Sequence, residues 1–252
     1  MLNTYAILFH METAGNTDRL NFSLPLFRGD PHPCPYLPGH TADNELTLVP
    51  RIDGAVYERL MDLGFRRSGD MLYRPACEGC SECVPLRVPV TRFKPSRSQR
   101  RVRRRNQDVV VETGSPISSD EKWRIYKAYL SHQHDGTMSD RREDFEQFLY
   151  NSPTKTEEMV YRIGRRIVGV GIVDVCPTCL SSVYFYFDPT QARRSLGVFS
   201  TLMEIQVCHE RNIPYWYAGF YIRACGSMSY KADFRPYELL GPDGVWRTTT
   251  TD

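Results

Sequence analysis

The order of helical and strand-like segments over residues 119–220 constrains the fold more than any other feature. Ser119-Asp120-Glu121 opens a helix through Leu130, with Trp123, Tyr126, Ala128 and Leu130 as its apolar positions. A second helix is predicted over 141–150. Three strands follow at about 158–164, 167–175 and 181–187. Gly164 with Arg165 and Arg166 turns the first hairpin, and Asp188-Pro189 ends the third strand. Residues 197–210 repeat apolar side chains at helical spacing, including Phe199, Leu202, Met203, Ile205 and Cys208, with Gln206 among them. Asn212-Ile213-Pro214 stops that helix, and 215–220 is a further strand. The implied class is α/β (α+β), a mixed, mostly antiparallel sheet flanked by helices.

The first half has a looser rhythm. Residues 1–45 are rich in Pro, Gly, His and Thr and read as loop, with Cys34-Pro35-Tyr36-Leu37-Pro38 inside it. Residues 51–63 place Val56, Tyr57, Leu60, Met61 and Leu63 on a helix that Gly64 stops. A strand pair follows, from Phe65 through Gly69-Asp70 into Met71-Leu72-Tyr73-Arg74. Val84–Val90 is a strand, Ser96 a helix cap, and Val109–Glu112 extended. Two regions are expected: 1–106, containing cysteines and a basic tract, and 107–252.

Cys77-x-x-Cys80-x-x-Cys83 sits just before that tract. From Arg92 to Arg105 there are eight basic side chains and no acidic one. Removing that +8 from the net charge of +2 leaves −6 on the rest of the chain, so positive charge is concentrated. Seven of the eight are arginines, which suit bidentate phosphate contacts and stacking on bases. RNA is the expected polyanion; the other reading is a solvated helix face or targeting tract. With Cys34 as a fourth ligand the three spaced thiols suit zinc or an iron–sulfur cluster; the alternative is a set of buried structural thiols. Cys176-Pro177-Thr178-Cys179 reads as the tip of a hairpin. Arg193-Arg194-Ser195-Leu196-Gly197 leads a strand into a helix, whose exposed amides attract anions. No run approaches the roughly 20 apolar residues of a membrane helix, and Met1-Leu2-Asn3-Thr4 does not open a signal peptide. A cytoplasmic location and no membrane partner are therefore expected.

Several strings together carry a family resemblance. They are Cys34-Pro-Tyr-Leu, Tyr57-x-x-Leu60, Gly64-Phe-Arg-Arg-Ser-Gly69, Tyr73-Arg-Pro-x-Cys77-x-x-Cys80-x-x-Cys83-x-Pro85 and Phe93-x-Pro95-Ser96-x-Ser98-Gln99-Arg100-Arg101. In the second half they are Ser195-Leu196-Gly197, Gly219-Phe220-Tyr221-Ile222 and Met228-x-Tyr230-Lys231-x-x-Phe234-x-Pro236. Over roughly residues 20–240 the chain resembles aminoacyl-tRNA–protein transferases, and is most similar to the bacterial aspartate/glutamate leucyltransferases. The helix–strand order likewise resembles the GNAT acyltransferase core. The resemblance implies transfer of leucine from leucyl-tRNA to proteins with N-terminal Asp or Glu, marking them for degradation. It implies no required cofactor, with zinc or an iron–sulfur cluster at Cys34, Cys77, Cys80 and Cys83 as the metal option.

That chemistry asks for three sets of residues. The tRNA set is Arg97, Arg100, Arg101, Arg103, Arg104, Arg105, Arg193 and Arg194. For the acidic N-terminus, a guanidinium forks onto a carboxylate; Arg74 leads, followed by Arg66, Arg67 and Lys231. Polar groups for the transfer step are Tyr184, Tyr186, Tyr221 and Tyr230. The competing functions are an arginyl-tRNA–protein transferase, a zinc-containing RNA-binding module without catalysis, and a coenzyme A-dependent N-acetyltransferase.

Overall fold

The computed structural model describes residues 4–12, 19–133 and 138–249, with side chains from residue 23 onward. β1 (Thr4–Glu12) and β2 (Arg19–Arg28) pair antiparallel, and β3 (His32–Pro33) and β4 (Thr41–Ala42) form a small clip. β5 (Asn44–Leu48), α1 (Gly54–Asp62), β6 (Arg66–Ser68) and β7 (Met71–Pro75) complete the first region. β1, β2, β5, β7 and β6, in that order, make a five-stranded antiparallel sheet. The loop expected over residues 1–45 is thus largely strand. Leu20, Phe22, Leu24 and Leu26 alternate with period two, a pattern obscured by Pro25 and the surrounding turn residues.

The chain then enters a second sheet. Its elements are β8 (Val84–Pro89), α2 (Arg97–Arg105), β9 (Val110–Gly114), α3 (Asp120–Gln133), α4 (Arg142–Leu149), β10 (Thr156–Ile163), β11 (Arg166–Val175) and β12 (Cys179–Phe187). They continue with α5 (Leu196–Glu210), β13 (Tyr215–Tyr221), α6 (Gly226–Ser229), β14 (Glu238–Leu240) and β15 (Trp246–Thr248). The order across this eight-stranded sheet is β15-β14-β8-β13-β12-β11-β10-β9. The pairing is antiparallel except between β12 and β13, which the α5 crossover makes parallel. Residues 84–105, read from sequence as part of the first region, here supply a strand and a helix to the second. β8 lies between β13 and β14, and Val102 of α2 packs on the core under α5.

β11 presents two faces, and a bulge at Val168 shifts its alternation. Val168 and Val173 face the core beneath α5. Val170 and Ile172 face α3 and α4, where Tyr126, Leu130, Phe145 and Leu149 close over them. Asp174 continues that second face and meets the five-stranded sheet. There Arg67 of β6 donates to both carboxylate oxygens, at 2.7 and 2.8 Å, with neither side chain exposed. Thr156 donates to the same carboxylate at 2.6 Å. Burial alone would lower Arg67, but the Asp174 charge and hydrogen bonds raise it overall. The structure thus places Arg67, one of the sequence candidates for substrate recognition, in the ion pair that joins the two sheets.

Removing one partner of a fully buried pair strands the other charge. Asp174→Ala is expected to lower unfolding free energy by about 3–5 kcal/mol, measured by urea denaturation. A loss under about 1 kcal/mol would mean that the pair does not hold the sheets together.

Candidate functional site

β12 and β13 share three rungs, Cys179 with Tyr215, Leu180 with Trp216 and Ser181 with Tyr217, and then part. β12 runs on to Phe187 and β13 to Tyr221, each still paired along its outer edge with β11 or β8. Each strand carries a register shift at the fork, near Val183 on β12 and Ala218 on β13. The result is a wedge between two lips of backbone.

Two cations fill the wedge. Arg66, from β6, donates to the Ser182 carbonyl at 2.5 Å. Lys231, in the turn after α6, donates to the Phe220 carbonyl at 2.7 Å. Gly219 has φ of +84°, and a Cβ there would lie 3.6 Å from the Arg66 guanidinium. Glycine thus serves both the backbone turn and the approach of the arginine. Arg66 is 8% exposed and Lys231 9%. Among the described residues, neither forms an ion pair with a carboxylate. Burial, then the Arg66 charge, pulls the Lys231 ammonium down to about 7. Its folded value lies below its unfolded one. The cost to stability is therefore full below pH ~7 and fades as pH rises towards the unfolded value near 10.5.

Glu204 on α5 fixes the floor. Its carboxylate accepts from Trp216 Nε1 of β13 at 2.7 Å and from Ser200 at 3.0 Å, and Tyr161 donates on to Ser200 at 3.3 Å. Burial raises the Glu204 carboxyl, while hydrogen bonds from Trp216, Ser182 and Ser200 oppose that rise. One side chain thereby bonds both diverging strands. It was absent from the sequence candidates, although an acid inside the apolar stripe Phe199, Leu202, Ile205 and Cys208 is a legible signal.

The walls come from the first region. Tyr73 of β7 meets Phe220 edge to face at 6.2 Å. Tyr36 is held up mainly by burial and lies near Tyr73, Cys83, Cys225 and Cys34. Burial, then the neighbouring Cys77, Cys34 and Cys80, pushes the Cys83 thiol up to about 12. Leu37 N–H donates to Cys34 Sγ and Asp43 N–H to Cys77 Sγ, both at 3.4 Å. A cavity of about 280 Å³ lies among Pro75, Ala76, Cys77, Cys80, Ser81, Glu82 and Cys83. Soft thiols and N–H donors suit a metal, but the spacing does not. Among the described residues, the set of three ligand atoms mutually within 4.8 Å is Glu58, Cys176 and Cys179, not the Cys34 group.

The remaining candidates separate. Arg74 is paired with Glu45 at 2.5 Å and lies over the Phe65 ring. Tyr186 is fully buried, its hydroxyl 3.1 Å from that of Tyr150, so it belongs to the α3–α4 core rather than the wedge. Tyr184 packs edge-on to Phe148 and Tyr126 on that same side. Tyr221 rests against Tyr237. Tyr230 is 42% exposed, adjoins Lys231, and lies within reach of the Glu204 charge.

Residues 32–101 match the model of the arginine-tRNA-protein transferase N terminus, and residues 121–241 that of its C terminus. The chain belongs to the arginine-tRNA-protein transferase family. An aspartate/glutamate leucyltransferase of Pseudomonas savastanoi is 40% identical over 221 residues, covering 86% of this chain and 94% of that protein. One from Marinobacter nauticus is 39% identical over 234 residues, covering 91% and 98%. Among solved structures, FemX matches with a TM-score of 0.46 at 10% identity, over 86% of this chain and 79% of that one.

The family's nucleic-acid substrate directs attention to α2. Ser96 and Gln99 form a capping box at its start. Its C-terminal end is tied to the turn before α5: Asn106 donates to the Arg194 carbonyl at 2.9 Å and Arg105 to the Arg193 carbonyl at 2.5 Å. Arg194 forks onto Asp108 at 2.8 and 2.9 Å, Arg103 bonds Gln206, and Arg100 bonds the Pro95 carbonyl. The side chains of Arg97, Arg101 and Arg104 are exposed and form no hydrogen bond or ion pair among the described residues. Their spacing places them on one helix stripe. β12 leads into α5, so the open end of the wedge and the N-terminus of α5 share one end of the sheet. The C-terminal end of α2, tied to the turn before α5, therefore lies at the same end of the sheet as the open end of the wedge.

Arg97→Ala, Arg101→Ala and Arg104→Ala should each reduce the slope of log affinity against log salt for tRNA by roughly 1. Thermal stability should be unchanged within about 0.5 kcal/mol. Filter binding across a salt series checks this; unaltered slopes would move the tRNA surface elsewhere.

Proposed function

We propose that this chain transfers the leucyl group of leucyl-tRNA to the α-amine of proteins beginning with Asp or Glu, as the names of its relatives state for them. The carrying observation is the pair of buried cations in the wedge, Arg66 and Lys231, without a carboxylate partner among the described residues. Buried charge is costly unless paired. The side chain of an N-terminal Asp or Glu is the missing anion in this reading. It lies on Arg66 and Lys231, which places the neighbouring α-amine in the mouth of the wedge.

The donor arrives as an ester already activated for attack. The α-amine titrates near 8, so a useful fraction is neutral at physiological pH. Holding ester and amine together supplies most of the acceleration. As the amine attacks, a C–N bond forms and the ester C–O bond breaks. The amine loses one proton and the departing ribose oxygen gains one. In this reading Tyr230, partly exposed and next to Lys231 in sequence, is the hydroxyl that relays that proton. Arg97, Arg101 and Arg104 hold the tRNA body so that its 3′ end enters from the open end of the sheet.

Label from leucyl-tRNA should enter Glu- and Asp-initiated peptides and not Ala-initiated ones. Efficient transfer from arginyl-tRNA would favour the arginyl activity, transfer from acetyl-coenzyme A alone an acetyltransferase, and RNA binding without transfer a non-catalytic module. A second outcome follows from Lys231 at about 7. A bound carboxylate favours the ammonium, so Glu-peptide binding should take up more proton at pH 8 than at pH 6. Calorimetry in buffers of different ionisation enthalpy measures this; equal uptake at both pH values would contradict the pairing.

A further inference from the structure

The Cys176-Pro177-Thr178-Cys179 turn has no part in the transfer site. It closes the β11–β12 hairpin, with Cys176 N–H donating to the Cys179 carbonyl at 2.9 Å. Both thiols are buried in the core that also contains Tyr57, Leu60 and Met61 of α1. Glu58 of α1 reaches over the turn. Thr178 N–H donates to one of its oxygens at 3.0 Å, and the Thr178 hydroxyl donates to the other. The two sulfurs and a Glu58 oxygen all lie within 4.8 Å of one another. The adjacent Tyr57 hydroxyl is fully buried, has no hydrogen-bond partner, and lies near enough to Cys176 to feel its charge.

We propose that Cys176, Cys179 and Glu58 form a binding site for a thiophilic divalent cation of the zinc class. Two thiols at C-x-x-C spacing on a hairpin tip converge on one ion, and thiolates select borderline-soft metals over magnesium or calcium. Each carboxylate oxygen has two lone pairs, so Glu58 can keep the Thr178 N–H while ligating. The fourth position belongs to a water at the partly exposed Glu58 side. Binding releases the two thiol protons to solvent and forms two S–metal bonds and one O–metal bond. One ligand comes from α1 and two from the β11–β12 hairpin. The ion therefore fastens the region that carries Arg66 to the sheet whose wedge Arg66 enters.

The test uses the full-length protein, stripped with a chelator and titrated with Co²⁺ alone. The expected result is a tetrahedral thiolate–cobalt spectrum that is lost, together with one equivalent of bound metal, in Cys176→Ser/Cys179→Ser. Glu58→Gln should retain the thiolate bands and weaken affinity roughly tenfold or more. Should the double variant fail to fold, Glu58→Gln still decides: unchanged affinity overturns the site. So does a double variant that folds and keeps the wild-type stoichiometry and spectrum, because the ion then belongs to the Cys34, Cys77, Cys80 and Cys83 group. Zn²⁺ should also raise the melting temperature of the wild type and not of the double variant.

Discussion

The structure depends on the parting of β12 from β13 after three rungs. A sheet that splits exposes backbone groups, and those groups must find partners. Here two come from long cations outside the sheet, Arg66 on Ser182 and Lys231 on Phe220, while Glu204 bonds Trp216 from below. Polar satisfaction of the wedge and concentration of positive charge in it are therefore one arrangement. The charge remains without a carboxylate among the described residues, and the proposed function rests on that.

The rest of the molecule serves to bring those groups there. Arg66 and Arg67 are neighbours on β6, yet their environments differ. Arg67 meets Asp174 and locks the five-stranded sheet onto the large one. Arg66 lies in the wedge over the Gly219 backbone. The segment 84–105 adds β8 beside β13 and α2 beside α5, so the cationic stripe and the wedge belong to one scaffold. Fixing both ends of a large substrate on rigid elements is how proximity becomes rate.

Much of this was legible in the residues. The helix and strand order of 119–220 appears as read, because each element has a clear period and a turn residue at its end. The basic helix and its Ser96 cap were equally plain. Two kinds of information were not. Residues 19–28 and 44–48 form strands despite proline and charged residues, because sheet pairing supplies what local propensity does not. Which of the adjacent cations is structural could not be read either. Arg66, Arg67 and Arg74 look alike in sequence, and the acid each meets lies 29 or 107 residues away or is absent among the described residues. The four tyrosines divide for a related reason: alternation puts Tyr184 and Tyr186 on the α3–α4 face of the sheet, while Tyr221 packs on the core beneath α5.

The central claim is that the wedge recognises negative charge, not merely side-chain length. The direct measurement is kcat/KM for leucyl transfer to two peptides that differ only in Glu or Gln as the first residue. Pairing a carboxylate with buried cations predicts a preference for Glu of roughly 100-fold, about 3 kcal/mol. That preference should collapse to within about threefold in Lys231→Met combined with Arg66→Gln. Equal rates for the two peptides in the wild-type protein, or an undiminished preference in the folded double variant, would contradict the account.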